Sequence, residues 1–289
     1  MAKFLKKHLA NIILYLVLLF GLCLLLYPNV ADWWNSRHQT RAIASYVETV
    51  DSMDSEDLEA RLEEARNYNS RLSVKGVRFL LTEEEMAEYE SLLDVSGTGI
   101  MGYVQIPNIN VSLPVYHGTD EAVLQIAVGH IAGTSLPIGG ENTHSVLSGH
   151  RGLPSSKLFT DLDQLTEGDV FTVTVLNETV TYQVDQIRIV LPEEVSDLQI
   201  VPGEDYCTLV TCTPYGINTH RMLVRGHRIE NIKEAIAVEA EAARVHPYLV
   251  IPAVGIPIVF VLLVVMLIYY HFKKPKKTEE TLYEELKNK

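Results

Sequence analysis

"TLVTCTPYGINTHRMLVRG" runs from Thr208 to Gly226. It holds a β-type run that ends at Cys212, a loop of eight residues, and a second β-type run headed by Arg221. A loop that short makes the two runs antiparallel neighbours and brings Arg221 to Cys212. Cysteine is otherwise scarce: the chain has three, and the others are Cys23 and Cys207. Cys207 and Cys212 are five apart on one strand, so they face opposite sides. They lie about 16 Å apart, too far for a disulfide. A free cysteine is usually a small buried hydrophobe. This one ends a strand among Thr211, Thr213, Tyr215, Asn218 and Arg221. A neighbouring cation lowers a thiol's pKa and makes it a nucleophile. The plain alternative for Arg221 is a surface salt bridge.

Working outward, the texture from Ile100 onward is short runs rich in β-branched residues. They read "MGYVQIP", "VSLPVYHG", "AVLQIAVGH", "HSVLSGH", "DVFTVTVLN", "TVTYQVDQIRIV", "YCTLVTC" and "RMLVRGHRI". Gly, Pro, Asn and Asp separate them. Eight such runs predict a mainly β fold, an eight-stranded closed or nearly closed barrel over residues 99–230. The region before it, 28–98, is predicted helical. Ile43, Tyr46, Val47 and Val50 share one face, and Leu58, Leu62 and Ala65 another. Thr82-x-x-Glu85 is a capping box. Residues 67–81 between these have loop character. "GTGIMG", Gly97 to Gly102, matches a dinucleotide-binding pattern but follows a helix and opens a strand, so it reads as a turn. Residues 231–247 are predicted to form a helical linker.

Two stretches are long enough to cross a membrane. Residues 9–27 are nineteen without a charge, and residues 248–270 are twenty-three. "YPNVADWW" after the first has no small-residue cleavage pattern, so both are expected to be retained spans. Lysines 3, 6 and 7 precede the first span, and lysines 273, 274, 276 and 277 follow the second. Residues 1–8 and the tail 271–289 are thus expected in the cytoplasm, with 28–247 outside the cell. The 289-residue chain carries −13, and its termini contribute +3 and +2, leaving −18 for the rest. Such acidity argues against nucleic-acid or anionic-lipid partners.

Thiol chemistry needs a proton carrier, normally histidine. His130 in "AVGH" and His150 in "LSGH" both end strand-like runs after a glycine, and spacing does not choose between them. His117, His220 and His227 are weaker candidates. His144 and His150 share a strand side, but a metal needs a third ligand and none is near in sequence, so no metal is expected.

At this point the residues resemble a sortase. "TLVTC" is similar to the family's TLxTC signature, whose last residue is the catalytic cysteine. "MGYVQIPNINVSLPVYHGT", "SLPIGG", "HSVLSGHRGLPSSKLFTDLDQLTEGDVF" and "TCTPYGINTHRMLVRGHRI" resemble class C sortases, the pilin-polymerising branch of these cysteine transpeptidases. The resemblance implies Cys212, His150 and Arg221 as catalytic residues, with Thr211 and Thr213 beside them as substrate-binding. It implies cleavage of LPxTG-like sorting signals between Thr and Gly, and transfer of the acyl group to a pilin lysine. No cofactor is implied. The partners would be pilin or surface-protein substrates at the membrane of a Gram-positive cell. Attachment of surface proteins to cell-wall peptide, a hydrolytic thiol protease and a non-catalytic scaffold are the rival readings.

One departure stands out. Class C members carry a lid with an Asp-Pro-aromatic motif. The corresponding residues 74–85, "VKGVRFLLTEEE", have no Asp-Pro, one aromatic in Phe79, and Arg78 where an acid would anchor it. A lid built on Phe79 and Arg78 is expected to be mobile, leaving the thiol accessible; the alternative is that Arg78 pairs with an acid of the ectodomain and holds the lid shut.

Overall fold

Strand by strand, alternating apolar residues find one interior. The computed structural model describes residues 2–231. The expected second span, the linker beyond Asn231 and the tail lie outside the described residues. Eight strands form a closed barrel: β1 (Ile100–Ile106), β2 (Val111–His117), β3 (Val128–His130), β4 (Thr143–Ser148), β5 (Val170–Val175), β6 (Glu178–Val190), β7 (Asp205–Thr213) and β8 (His220–Ile229). Their order around the barrel is β1-β2-β3-β4-β7-β8-β6-β5. Most neighbours are antiparallel, but β2–β3 and β4–β7 are parallel. All eight expected runs contain a strand. In "AVLQIAVGH" only the last three residues do. Its first half belongs to a short helix, α4 (Glu121–Leu124), and the next turn ends in an Ala127 N–H bond to the Val123 carbonyl. The Gly97–Gly102 motif is a bend that opens β1, as expected.

The two faces of the barrel wall are distinct. Val104, Leu147, Phe171, Cys207, Leu209 and Val224 belong to the main core. Val146, Val190, Val210 and Leu223 form a second cluster with Leu198, which lies between β6 and β7. Side-chain alternation explains the split, since 207 and 209 point inward and 210 outward.

Three helices precede the barrel. The first, α1 (Ala2–Asp51), runs unbroken through the expected span and past Pro28. Its apolar side chains at Leu14, from Val17 to Phe20 and from Leu24 to Tyr27 are exposed, and it is long and apolar enough to cross a membrane. Further on it docks on the barrel. Tyr46 is buried, its hydroxyl donates to the Met101 carbonyl (2.9 Å) and accepts from Leu176 N–H (2.7 Å). The second, α2 (Ser55–Lys75), buries Leu58, Leu62, Ala65, Tyr68 and Leu72. The loop expected from residue 67 therefore begins nine residues later. Asn67 to Ser70 are indifferent helix formers, but Asn69 is buried and exchanges two hydrogen bonds with Leu136, at 3.0 and 2.7 Å. Tertiary contact overrides the local preference. The third, α3 (Glu83–Ser91), starts with the expected capping box of Thr82 and Glu85, both bonds present.

Candidate active site

The outer face of β7 and β8 carries the site. Cys212 is in step with outward-facing Val210, and Arg221 with Leu223. The register pairs Cys212 directly with Arg221, and Val190 of β6 follows in the same row. On the other side, β4 pairs with β7 in a parallel register that ends at Ser148↔Val210. Two residues further along, the same offset aligns His150 with Cys212. The chain is held to that path: Gly149 N–H donates to the Val210 carbonyl (3.0 Å), and Thr211 Oγ1 donates to the Gly149 carbonyl (2.8 Å). Glycine is required at 149 because a Cβ there would lie 2.7 Å from the buried Phe159 ring. Phe159 N–H in turn donates to the His150 carbonyl (3.1 Å). The backbone thus brings Cys212, His150 and Arg221, separated by up to 71 positions, to the same end of the barrel wall.

All three are half-buried. Arg221 Nη1 donates to the carbonyls of Asn218 (3.2 Å) and His220 (3.1 Å), which fix the side chain without neutralising it. The neighbouring cation, Arg151, is by contrast committed: it pairs with Asp163 and donates to Thr213 Oγ1 (3.3 Å). His150 Nε2 lies 3.9 Å from a carboxylate oxygen of Glu121, the first residue of α4. Sequence reading missed Glu121, which stands just before the strand-like run "AVLQIAVGH". The signal present was Asp120, which precedes the helix in extended conformation as an N-cap does.

The other histidines do different work. His130 is fully buried; its Nε2 hydrogen bonds to the Ser135 carbonyl (2.8 Å) and its Nδ1 to Tyr89 Oη (3.0 Å). Burial pushes its pKa down to about 4, so it stays neutral and ties α3 to the barrel. His144 is likewise lowered to about 4 by burial, between the Gln199 carbonyl (2.9 Å) and Thr208 Oγ1 (2.7 Å). His117 bonds the Leu92 and Gly99 carbonyls, and His220 the Thr219 hydroxyl. Burial also raises the Cys207 thiol far above its ordinary range. Thr211 and Thr213, expected as substrate-binding, are buried on the face opposite to Cys212. An odd offset from Cys212 turns them inward, where Thr211 fixes Gly149 and Thr213 accepts from Arg151.

A family profile, the Sortase domain, matches residues 104–229. Sortase C1 from Streptococcus agalactiae is 57% identical in its solved structure, with a TM-score of 0.66; the match covers 66% of this chain and 100% of that one. The chain belongs to the sortase family. Its likeness to class C members extends to a sortase C of Clostridium perfringens, solved with a C-terminal cell wall sorting motif. That match is 42% identical with a TM-score of 0.58, over 66% of this chain and all of the other. Among curated sortases, Sortase D of Bacillus subtilis is 30% identical over 131 residues, 44% of this chain and 63% of that protein. Sortase A of Streptococcus agalactiae is 31% identical over 117 residues, 39% of this chain. The chain spans about half of that last protein's length, 47%.

In this sortase the stretch expected as a lid, residues 74–85, runs from the end of α2 into α3 and carries a polar anchor. Arg78 pairs with Glu85, and Lys75 lies 4.0 Å from the same carboxylate. The acid is the last residue of that stretch and belongs to the first turn of α3. The Arg78 N–H also reaches the Gly133 carbonyl (3.4 Å). Gly133 has φ +84°, and a Cβ there would stand 1.8 Å from the Arg78 carbonyl oxygen. Only a glycine lets the two segments meet. Val77 is buried, whereas Phe79 is 37% exposed and Leu80 is almost fully exposed.

Proposed function

We propose that this sortase cleaves LPxTG-like sorting signals between Thr and Gly and joins the acyl group to a pilin lysine. The observation that carries the reading is the row His150, Cys212, Arg221. Cys212 thiolate adds to the Thr carbonyl carbon, and Arg221 donates hydrogen bonds to the oxyanion that forms. The tetrahedral adduct collapses to a thioester as the Thr–Gly bond breaks, and His150 imidazolium gives its proton to the departing glycine nitrogen. A lysine ε-amine then loses a proton to His150 and attacks the thioester. The new amide releases Cys212 as thiolate, paired again with imidazolium. The sortase C solved with a cell wall sorting motif supports this substrate class.

The apolar helix α1 supports membrane anchoring. The lysine-flanked termini support a two-span arrangement with the barrel outside the cell. Such a tether brings the site to substrates that are themselves held at the membrane.

Incubation with an LPxTG-like peptide and a lysine-bearing acceptor tests the reading by mass spectrometry. The expected species are an acyl-enzyme on Cys212 and an isopeptide-linked product. Release to water alone would identify a hydrolase, and preference for a cell-wall peptide amine would identify an anchoring sortase. No adduct at Cys212 would remove the catalytic reading.

A further inference from the structure

Gln39 of α1 is 7% exposed. Its amide nitrogen donates to the Ile126 carbonyl (2.7 Å) and to Ser156 Oγ (3.2 Å). These acceptors belong to two different segments, and both lead to His150. Ile126 follows α4, whose Glu121 carboxylate is 3.9 Å from His150 Nε2. Ser156 lies in the excursion that leaves the barrel at His150 and returns at Phe159, closed by the Phe159 N–H to His150 carbonyl bond. Two more α1 side chains grip that excursion. Asn35 Nδ2 donates to the Ser155 carbonyl (2.8 Å), and Asp32 Oδ1 accepts from Lys157 N–H (2.8 Å). Residues 32, 35 and 39 share one helix face.

Simple docking of α1 does not need this arrangement, because Tyr46 and Val50 already seat the helix in the main core. A buried amide with its donors committed to two segments is a poor stabiliser beside a leucine. What it supplies is geometry. The same helix carries the apolar stretch, and Asn35 lies about 12 Å along its axis from Tyr27. The loop after His150 is therefore held close to the level at which a membrane-crossing α1 would leave the hydrocarbon.

We propose that Asp32, Asn35 and Gln39 are positioning residues: they set His150 against Cys212 from the helix that anchors the protein, so that anchor and proton carrier form one rigid device. This rests on the catalytic reading of His150 given above.

The test uses the full-length chain in liposomes. Gln39→Met removes both donors at nearly constant volume, and Asn35→Ala removes the second grip. Tyr46→Phe is the control, since it removes two hydrogen bonds of the same helix far from His150. Two quantities are read: kcat and KM for an LPxTG-like peptide, and the pH profile of iodoacetamide alkylation at Cys212, followed on the Cys212-containing peptide. For Gln39→Met and Asn35→Ala, kcat should fall about tenfold or more with KM within about twofold. The alkylation profile should move by about half a pH unit or more as the imidazolium partner of the thiolate is displaced. Tyr46→Phe should lower Tm and leave both readouts in place. Wild-type kcat and profile in the first two variants, or an equal shift in Tyr46→Phe, would overturn the proposal. His150→Ala separates the two levels: if it leaves the profile unchanged, the catalytic reading falls and takes this one with it. If it changes the profile and Gln39→Met does not, positioning alone is wrong.

Discussion

The barrel contains its cysteine and histidine chemistry twice, and the two copies behave differently. Cys207 and His130 are sealed in the barrel wall. Burial raises the thiol and lowers the imidazole, so both favour their neutral forms and no ion pair can form between such groups. Cys212 and His150 stand half-buried at the end of the same wall, with Arg221 opposite the thiol. Residue type is the same in both places. Access to water and to a cation separates Cys212 and His150 from the sealed Cys207 and His130.

The sharpest way to break this comparison is to remove each thiol. Cys212→Ala should abolish peptide turnover, a loss on the order of 10⁴-fold or more, with the fold intact by circular dichroism. Cys207→Ala should keep turnover per folded molecule and cost about 1–2 kcal/mol in urea unfolding, as a small core truncation does. Turnover that survives in the first variant and vanishes in the second would invert the assignment.

Next in size is the cation. Arg221→Lys keeps the charge but not the planar fork of donors. Peptide turnover should drop about 10²-fold, as on loss of an oxyanion donor. Near wild-type rates would mean that charge alone matters.

The histidines separate by pH. His130 and His144 have folded-state values near 4 against 6.5 for an ordinary histidine. Between those values the unfolded chain binds more protons, so stability should fall as pH drops from 6.5 towards 4. Each residue contributes about 3 kcal/mol to that loss. His130→Asn should lower stability at pH 7 and flatten the slope of urea stability against pH. A variant that keeps the full wild-type slope would show that His130 does not titrate out of the core. His150→Ala should remove activity.

The smallest effect belongs to the segment after α2. Glu85→Gln removes the partner of an exposed Arg78, and exposed pairs contribute little. Amide exchange at 77–81 should rise about two- to fivefold, less so in high salt. An increase confined to α3, with 77–81 unchanged, would show that the pair only caps the helix.

Much of this was legible in residue order. All eight strands match, to within one residue at either end, or fall inside, runs that local alternation and turn residues mark. The Cys212–Arg221 pairing also followed from sequence, because one short loop joins the two strands. Lone helix signals such as the Thr82/Glu85 capping box were equally local. His150 was a different case. His130 and His150 both close a strand after glycine, and only resemblance to a family favoured one before the fold was known.

Sequence by itself determined what depends on neighbours a few residues away: strand alternation, the β7–β8 hairpin, the cap of α3 and the apolar length of α1. Tertiary structure alone decided what depends on segments brought from far along the chain. The parallel register of β4 on β7 carries His150 to Cys212, and burial against Tyr89 and Ser135 makes His130 structural. Leu136 extends α2 through Asn69, and Gln39 reaches across 117 positions to Ser156. The physical reason is common to all of them. Hydrogen bonds and desolvation act at contact distance, and contact between remote segments is set by the closure of the barrel.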